Sequence, residues 1–250
     1  MTDTRKENCP IHGDYSARVN AETGRWTRCW GCVEAEIQAQ EAQDRQREKA
    51  AEAGQVLAQL IDRSGMEGRM LRASFESYEA STPAQAAVLA ACEAFAESVE
   101  LDGGRNLWLI GPPGTGKTHL GSAIVSHLIR ERGIPAAIYS AREIVRLLRA
   151  TWGRNRDEDA ETESEVIDRL GEIGLLVLDE VGVGFDKEAE RTQILDVIDR
   201  RYKLGRPTVV LSNLHAKDVK PVLGPRAFDR LRDGAEMHIC AWESHRKENR

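Results

Sequence analysis

The sequence predicts an α/β fold in which a central parallel sheet is flanked by helices, preceded by a small cysteine-bearing module and an exposed helical connector. Three observations predict it. Short apolar runs at 106–110, 136–139, 175–178 and 208–211 alternate with amphipathic helical stretches, the pattern of strands buried on both faces. A glycine-rich octapeptide lies where the first of these runs passes into a helix. Two cysteine/histidine pairs stand near the N-terminus, outside the alternation.

With 250 residues and a net charge of −6, the chain can bury one full core and carry a small appendage. It is not coated in basic surface, so any nucleic-acid contact needs a local patch. No apolar run approaches the ~20 residues that span a bilayer, and the opening MTDTRKENCP is too polar for a secretory signal. A cytoplasmic protein without membrane contact is expected. Five cysteines in that compartment read as thiols or metal ligands rather than disulfides.

In chain order, Cys9-Pro10-Ile11-His12 and Cys29-Trp30-Gly31-Cys32 form C-x2-H and C-x2-C pairs around a hairpin-like segment. Three thiolates and one imidazole favour Zn²⁺ in a closed structural site, with no open position for catalysis. Cys92 and Cys240 read as buried apolar residues. Glu34 to Arg63 is rich in Ala, Gln and Glu and reads as an exposed helix, ended by Ser64-Gly65 and Gly68. Its role is a spacer, a docking helix or a solvated connector. Residues 1–33, 34–70 and 71–250 are thus expected to be a zinc-binding module, a helical linker and the main α/β core.

Within the core, Thr82 to Val99 reads as a helix capped at Ser81 or Thr82 ahead of Pro83. Asn106 to Ile110 is a buried strand. Gly116 to Arg130 is a helix with Leu120, Ala123, Ile124 and Leu128 on one face, and Lys187 to Lys203 is another helix. Between the strand-like 106–110 and the helix, Gly111-Pro112-Pro113-Gly114-Thr115-Gly116-Lys117-Thr118 fits G-x-x-x-x-G-K-[ST] in the required context. Backbone N–H groups of such a loop curl around phosphates at a helix N-terminus. Lys117 is expected to reach the β- and γ-phosphates, and the Thr118 hydroxyl to ligate Mg²⁺. Asp179 ends the run Leu175 to Leu178, suited to the Mg²⁺ shell. Neighbouring Glu180 is suited to polarise the attacking water. Asn213 ends the run Thr208 to Leu211, where it reaches the water or the γ-phosphate, or serves only as a turn residue.

Ala141 to Trp152 reads as a helix with Arg142, Arg146 and Arg149 on one face and Ile144, Leu147 and Leu148 toward the core, followed by an acidic loop and a second short helix. That face attracts phosphate, and Trp152 beside it offers a stacking platform. The alternative is a solvated face with Trp152 in the core. A late segment, Pro225 to Gly234 (PRAFDRLRDG), concentrates arginines that either pair with Asp229 and Asp233 at the surface or act on phosphate.

GPPGTGKT, LLVLDEVGV, IDRRYKLGRPTVVLSN, LGPRAFDRLRDG, the upstream ASFESY and the closing WESHR together resemble the AAA+ ATPases, specifically the DnaC-type helicase loaders and their IstB-like relatives. The likeness runs from about Phe75 to Arg246. It implies a P-loop AAA+ core with Asn213 as sensor I, Arg230 as the arginine finger with Arg226 as alternate, and Arg246 as sensor II. It implies an ATP-dependent homo-oligomer that hydrolyses ATP at a site shared between subunits, and a role in loading a replicative helicase hexamer onto single-stranded DNA. Similar loaders line a DNA path with extra helices where Arg142, Arg146, Arg149 and Trp152 stand, and engage the helicase through the region before the core. The zinc pairs depart from the usual loader N-terminus, so this module either meets the helicase or grips DNA through Arg18, Arg25 and Arg28. Rival readings are an IstB-like helper of a transposase and a zinc-bearing adaptor that binds ATP with negligible turnover.

Overall fold

The computed structural model describes residues 3–20, 22–152, 161–182 and 188–245. The chain forms two compact units, Met1–Val56 and Leu57–Arg250.

In the smaller unit, strands β1 (Thr4–Cys9) and β2 (Gly13–Arg18) form an antiparallel hairpin with Cys9 opposite Gly13. The first cysteine/histidine pair is therefore the hairpin turn itself, not the segment before it. A second turn is closed by a bridge between Val19 and Trp26, with Asn20 Oδ1 accepting from the N–H groups of Glu22 (3.0 Å) and Thr23 (3.1 Å). Helix α1 spans Trp30–Asp62, four residues earlier than the composition suggests. It starts at the second pair because C-x2-C spacing places two thiols on one helical turn. No residue of α1 is buried; Ala, Gln, Glu and Arg sustain it by propensity.

In the larger unit, Leu57, Leu60 and Ile61 of the last turns of α1 pack against the core. Helix α2 (Pro83–Ser98) begins at Thr82, whose hydroxyl accepts from the Gln85 N–H, with Pro83 pre-set at the first position. Then follow β3 (Asn106–Ile110), α3 (Lys117–Arg130), β4 (Ala136–Ser140), α4 (Ala141–Ala150), α5 (Glu163–Glu172), β5 (Leu175–Asp179), α6 (Glu188–Lys203), β6 (Thr208–Ser212), α7 (Ala216–Leu223), α8 (Pro225–Arg232) and β7 (Ala235–Ile239). The strands make one parallel sheet in the order β4-β5-β6-β3-β7. Alternate residues feed two cores: Leu107 and Leu109 face α2 and α3, while Trp108 and Ile110 face α4, α6 and α8.

Strand β7 was not expected. Its sequence AEMHI lacks an apolar run, and as an edge strand it leaves Glu236, Met237 and Ile239 exposed. Two polar anchors hold the helices around it. The Trp108 indole N–H donates to the Leu231 carbonyl (2.8 Å). Asn106 donates to the carbonyls of Asp233 (3.0 Å) and Arg230 (3.4 Å) and accepts from the Thr208 N–H (2.9 Å). Arg201 is fully buried and, among the described residues, has no carboxylate partner. Its guanidinium instead donates to Leu170 O (2.8 Å), Ile173 O (2.9 Å), Pro207 O and Thr208 Oγ1 (3.0 Å), so it ties the end of α5 to the start of β6.

Candidate functional site

A cavity of about 470 Å³ opens at the carboxyl ends of the central strands, the place where open parallel sheets hold ligands. It is lined by the glycine loop, Thr118, Asp179, Glu180 and Asn213, and its volume is in the range of small-molecule sites. The strand order explains the convergence. Because β6 lies between β3 and β5, Asn213 at the end of β6 falls between the loop after β3 and the acidic pair after β5.

The loop carries the backbone that its sequence demands. Gly114 and Gly116 both have φ +86°, the left-handed region that glycine enters without strain. A Cβ at Gly116 would lie 2.6 Å from the Tyr78 ring. The Lys117 ammonium is buried and donates to the Gly111 carbonyl (2.7 Å), the Pro112 carbonyl (2.8 Å) and Thr115 Oγ1 (3.3 Å). Its charge is thus held inside the loop, where phosphate oxygens can take the place of those acceptors.

Thr118 Oγ1 donates to Asp179 Oδ2 (2.7 Å), and Asp179 Oδ1 accepts from the Glu180 N–H (2.6 Å). Burial raises the Asp179 pKa, opposed by these two hydrogen bonds. A hydroxyl and a carboxylate in contact at the strand end are the donor set expected for Mg²⁺ between loop and phosphates. Glu180 itself is exposed and has φ +53°. A non-glycine residue in that region is held by its surroundings, and such strain gathers at functional sites.

Tyr78, Trp242 and His245 line the cavity from segments without a recognisable phosphate motif, and His119 lines it from α3 just past that motif. Tyr78 OH donates to the Thr115 carbonyl (3.4 Å), and so does the Trp242 indole N–H (3.0 Å). The His245 N–H donates to the Gly114 carbonyl (3.1 Å). His119 Nε2 lies 3.0 Å from the Ser74 carbonyl and 3.1 Å from Ser77 Oγ. The segments ASFESY and WESHR therefore brace the loop from outside the α/β core. Arg246 lies outside the described residues. The available signal was a tryptophan and a tyrosine in otherwise polar stretches.

The arginines divide by partner. Arg230 forms an ion pair with Asp199 of α6 and lies over the Tyr202 ring, 5.6 Å from its centroid. Asp229 and Asp233 are not its partners, and Arg226 and Arg232 are exposed. On α4, Arg142 and Arg146 are exposed on one face, whereas Arg149 is paired with Glu190 (2.7 Å). Trp152 is 55% exposed and donates its indole N–H to Glu163 Oε2 (2.9 Å), so it does not belong to the core.

In the smaller unit, the sulfurs of Cys9, Cys29 and Cys32 and His12 Nδ1 lie within 4.8 Å of one another. His12 Nδ1 is 3.7, 3.6 and 3.5 Å from the sulfurs of Cys9, Cys29 and Cys32, and Cys9 Sγ is 3.4 Å from Cys32 Sγ. A tetrahedral Zn²⁺ with standard bond lengths sets S···N at about 3.6 Å and S···S at about 3.8 Å, so the donor set fits the ion. Backbone N–H groups of Ile11 and His12 pull the Cys9 thiol down to about 6, while its contact with Cys9 and burial push Cys32 up to about 11. A cation between the sulfurs would hold both as thiolates. Arg28 clasps Glu36, so of the arginines considered for a DNA grip by this unit, that one is engaged. Cys92 and Cys240 are fully buried, with burial raising them to about 12 and about 11.

The model of the IstB-like ATP binding protein family matches residues 38–250. The chain belongs to that family. The replicative helicase loader DnaC of Escherichia coli (strain K12) is 31% identical over 192 residues, covering 76% of each chain. DnaC of Buchnera aphidicola subsp. Baizongia pistaciae is 30% identical over 192 residues, again covering 76% of each. A crystal structure of the DnaC helicase loader superposes with a TM-score of 0.62 at 20% identity, covering 69% of this chain and 99% of that one. The DnaC-type AAA+ resemblance and the AAA+ fold drawn from the motifs are borne out. No helix among the described residues is long and apolar enough to cross a membrane.

Proposed function

We propose that this IstB-like protein is an ATP-dependent loader of a replicative DNA helicase onto single-stranded DNA, working in the cytoplasm as an ATP-dependent homo-oligomer. The observation that carries it is the convergence of Lys117, Thr118, Asp179, Glu180 and Asn213 on one cavity in a chain whose relatives include named helicase loaders. These relatives favour a loader over a transposase helper. As functional parts, residues 1–33 are the zinc module, 34–70 the linker and 71–250 the ATPase core.

In this reading the backbone from Gly111 to Gly116, with Pro112, Pro113 and Thr115, cradles the phosphates, and Lys117 neutralises their charge. Thr118 and Asp179 would hold Mg²⁺, which would supply neutralisation of the phosphate charge. Glu180 takes the proton of the attacking water as Asn213 orients it. Arg230 leaves Asp199 to stabilise the transition state on a neighbouring subunit, and Arg246 is the sensor II residue. Arg142 and Arg146, with Trp152 and a released Arg149, contact the DNA strand. Cys9, His12, Cys29 and Cys32 hold Zn²⁺ as a structural ion.

The test compares wild type with Glu180→Gln for ATP binding, DNA-stimulated hydrolysis and copurification with the helicase. Loss of general-base function should slow hydrolysis by about 10²–10⁴-fold with ATP binding retained. Equal, near-zero hydrolysis in both proteins would instead indicate an ATP-binding adaptor. Copurification with a transposase and no helicase would indicate a transposition helper.

A further inference from the structure

The loop from Gly111 to Gly116 has few donors to give an anion. Pro112 and Pro113 have no N–H, and the Gly111 N–H donates to the Ser212 carbonyl (3.1 Å). The N–H groups of Gly114, Thr115 and Gly116 remain for phosphate, and they serve only if their peptide planes are turned the right way. Across a trans peptide plane each N–H points opposite to the carbonyl of the preceding residue. Holding the Gly114 carbonyl therefore aims the Thr115 N–H, and holding the Thr115 carbonyl aims the Gly116 N–H.

Those two carbonyls are the ones that the flanking segments hold. The His245 N–H donates to the Gly114 carbonyl (3.1 Å), while the Trp242 indole N–H (3.0 Å) and the Tyr78 hydroxyl (3.4 Å) both donate to the Thr115 carbonyl. Tyr78 and Trp242 are half-buried against the core on the α2 and α3 side, so the Thr115 carbonyl is turned toward that flank and the Gly116 N–H away from it. Close approach fixes the arrangement. A Cβ at Gly114 would run into the Ser244 hydroxyl, and one at Gly116 into the Tyr78 ring. His119 secures the Tyr78 side. Its Nε2 faces the Ser74 carbonyl at 3.0 Å; a carbonyl only accepts, so that nitrogen carries the proton and donates. The turn in which Ser74 and Ser77 exchange N–H to hydroxyl bonds (3.0 and 3.2 Å) is thereby tied to α3 two residues past Lys117.

We propose that Trp242 and Tyr78 are positioning residues for phosphate binding. By sharing the Thr115 carbonyl they turn the Gly116 N–H toward the phosphate chain, as the His245 main chain turns the Thr115 N–H. They act on the phosphates through the loop, not by contact with the nucleotide. This rests on the nucleotide reading of the cavity given above. The test uses the full-length protein with Trp242→Phe, alone and combined with Tyr78→Phe, and two probes, Mg²⁺-tripolyphosphate and Mg²⁺-ATP, measured below each protein's melting temperature. Both substitutions keep a ring and remove the donor. One neutral hydrogen bond corresponds to about fivefold in affinity, so Trp242→Phe should weaken tripolyphosphate and ATP alike by about that factor. The double variant leaves the Thr115 carbonyl without a side-chain donor and should weaken both by about 30-fold. Should the double variant fail to fold, Trp242→Phe alone decides by the same comparison. Weakened ATP binding with unchanged tripolyphosphate binding would overturn the proposal by placing the two rings on the nucleobase. Unchanged affinity for both probes would overturn it by leaving the two side chains a purely structural role. A wild type that binds neither probe would overturn the nucleotide reading itself, and this proposal with it.

Discussion

Withdrawing zinc should unfold the first unit while the second keeps its fold and its nucleotide affinity. Among the described residues ahead of α1, the buried apolar side chains are Cys9, Ala17 and Cys29. At about 25 cal/mol per Å² these small groups contribute on the order of 3 kcal/mol. A structural zinc bound by three thiolates and an imidazole contributes about 10–16 kcal/mol at neutral pH. Bound there as proposed, the metal would supply several times what packing can, and Cys32→Ser, which removes one of the four candidate ligands, should act nearly as strongly as chelation. Metal analysis should give one zinc per chain. After chelation, limited proteolysis should open the segment before α1, while ATP still raises the melting temperature of the remainder. A protease-resistant hairpin in protein with no detectable zinc would refute the argument.

Arg230→Ala should leave ATP binding nearly intact and abolish partner- or DNA-stimulated hydrolysis; mixing it with Glu180→Gln should restore part of the activity, measured as phosphate release, if the site is shared. Arg142→Ala and Arg146→Ala should each lower the salt slope of single-stranded DNA binding by about 0.7, whereas Arg149→Ala, already paired with Glu190, should change it less. Asp179 gives a pH signature. Its folded pKa is raised above the 3.8 of a free carboxyl, so its ionisation costs stability that appears as the pH rises from that value through the folded one. Relative to wild type, nucleotide-free Asp179→Asn should gain stability across that window in denaturant titrations, while losing Mg²⁺-dependent stabilisation by ATP.

The parts that sequence made legible were those where one local pattern has one physical cause. The glycine loop, Asp179 and Glu180 at a strand end, and the two ligand pairs are local chemistry, and the apolar runs of β3 to β6 are local periodicity. Strand order is not local. Nothing in the run Thr208 to Leu211 says that it inserts between β3 and β5, and it is this insertion that carries Asn213 into the cavity. Partners across long separations were hidden for the same reason. The pairing of Arg230 with Asp199, Arg149 with Glu190 and Trp242 with the Thr115 carbonyl depends on how helices settle on the sheet. In the sequence Arg201 is one charged residue within IDRRYKLGRP; its burial reveals a brace that a charged residue type conceals.

Strand β3 also acts as a spacer of fixed length. Asn106 at its start grips the carbonyls of Arg230 and Asp233, and Ile110 at its end leads into Gly111. With a rise of about 3.3 Å per residue, the interval from Asn106 to Gly111 is roughly 16 Å, whereas an extended arginine reaches only about half of that from its own Cα. Arg230 and the glycine loop therefore stand at opposite poles of one rod, out of each other's range within a chain. In the shared site proposed above, these poles would be a donor end and an acceptor end, and copies stacked head to tail would match them in a directional series, with an unmatched site at each terminus of an open arrangement.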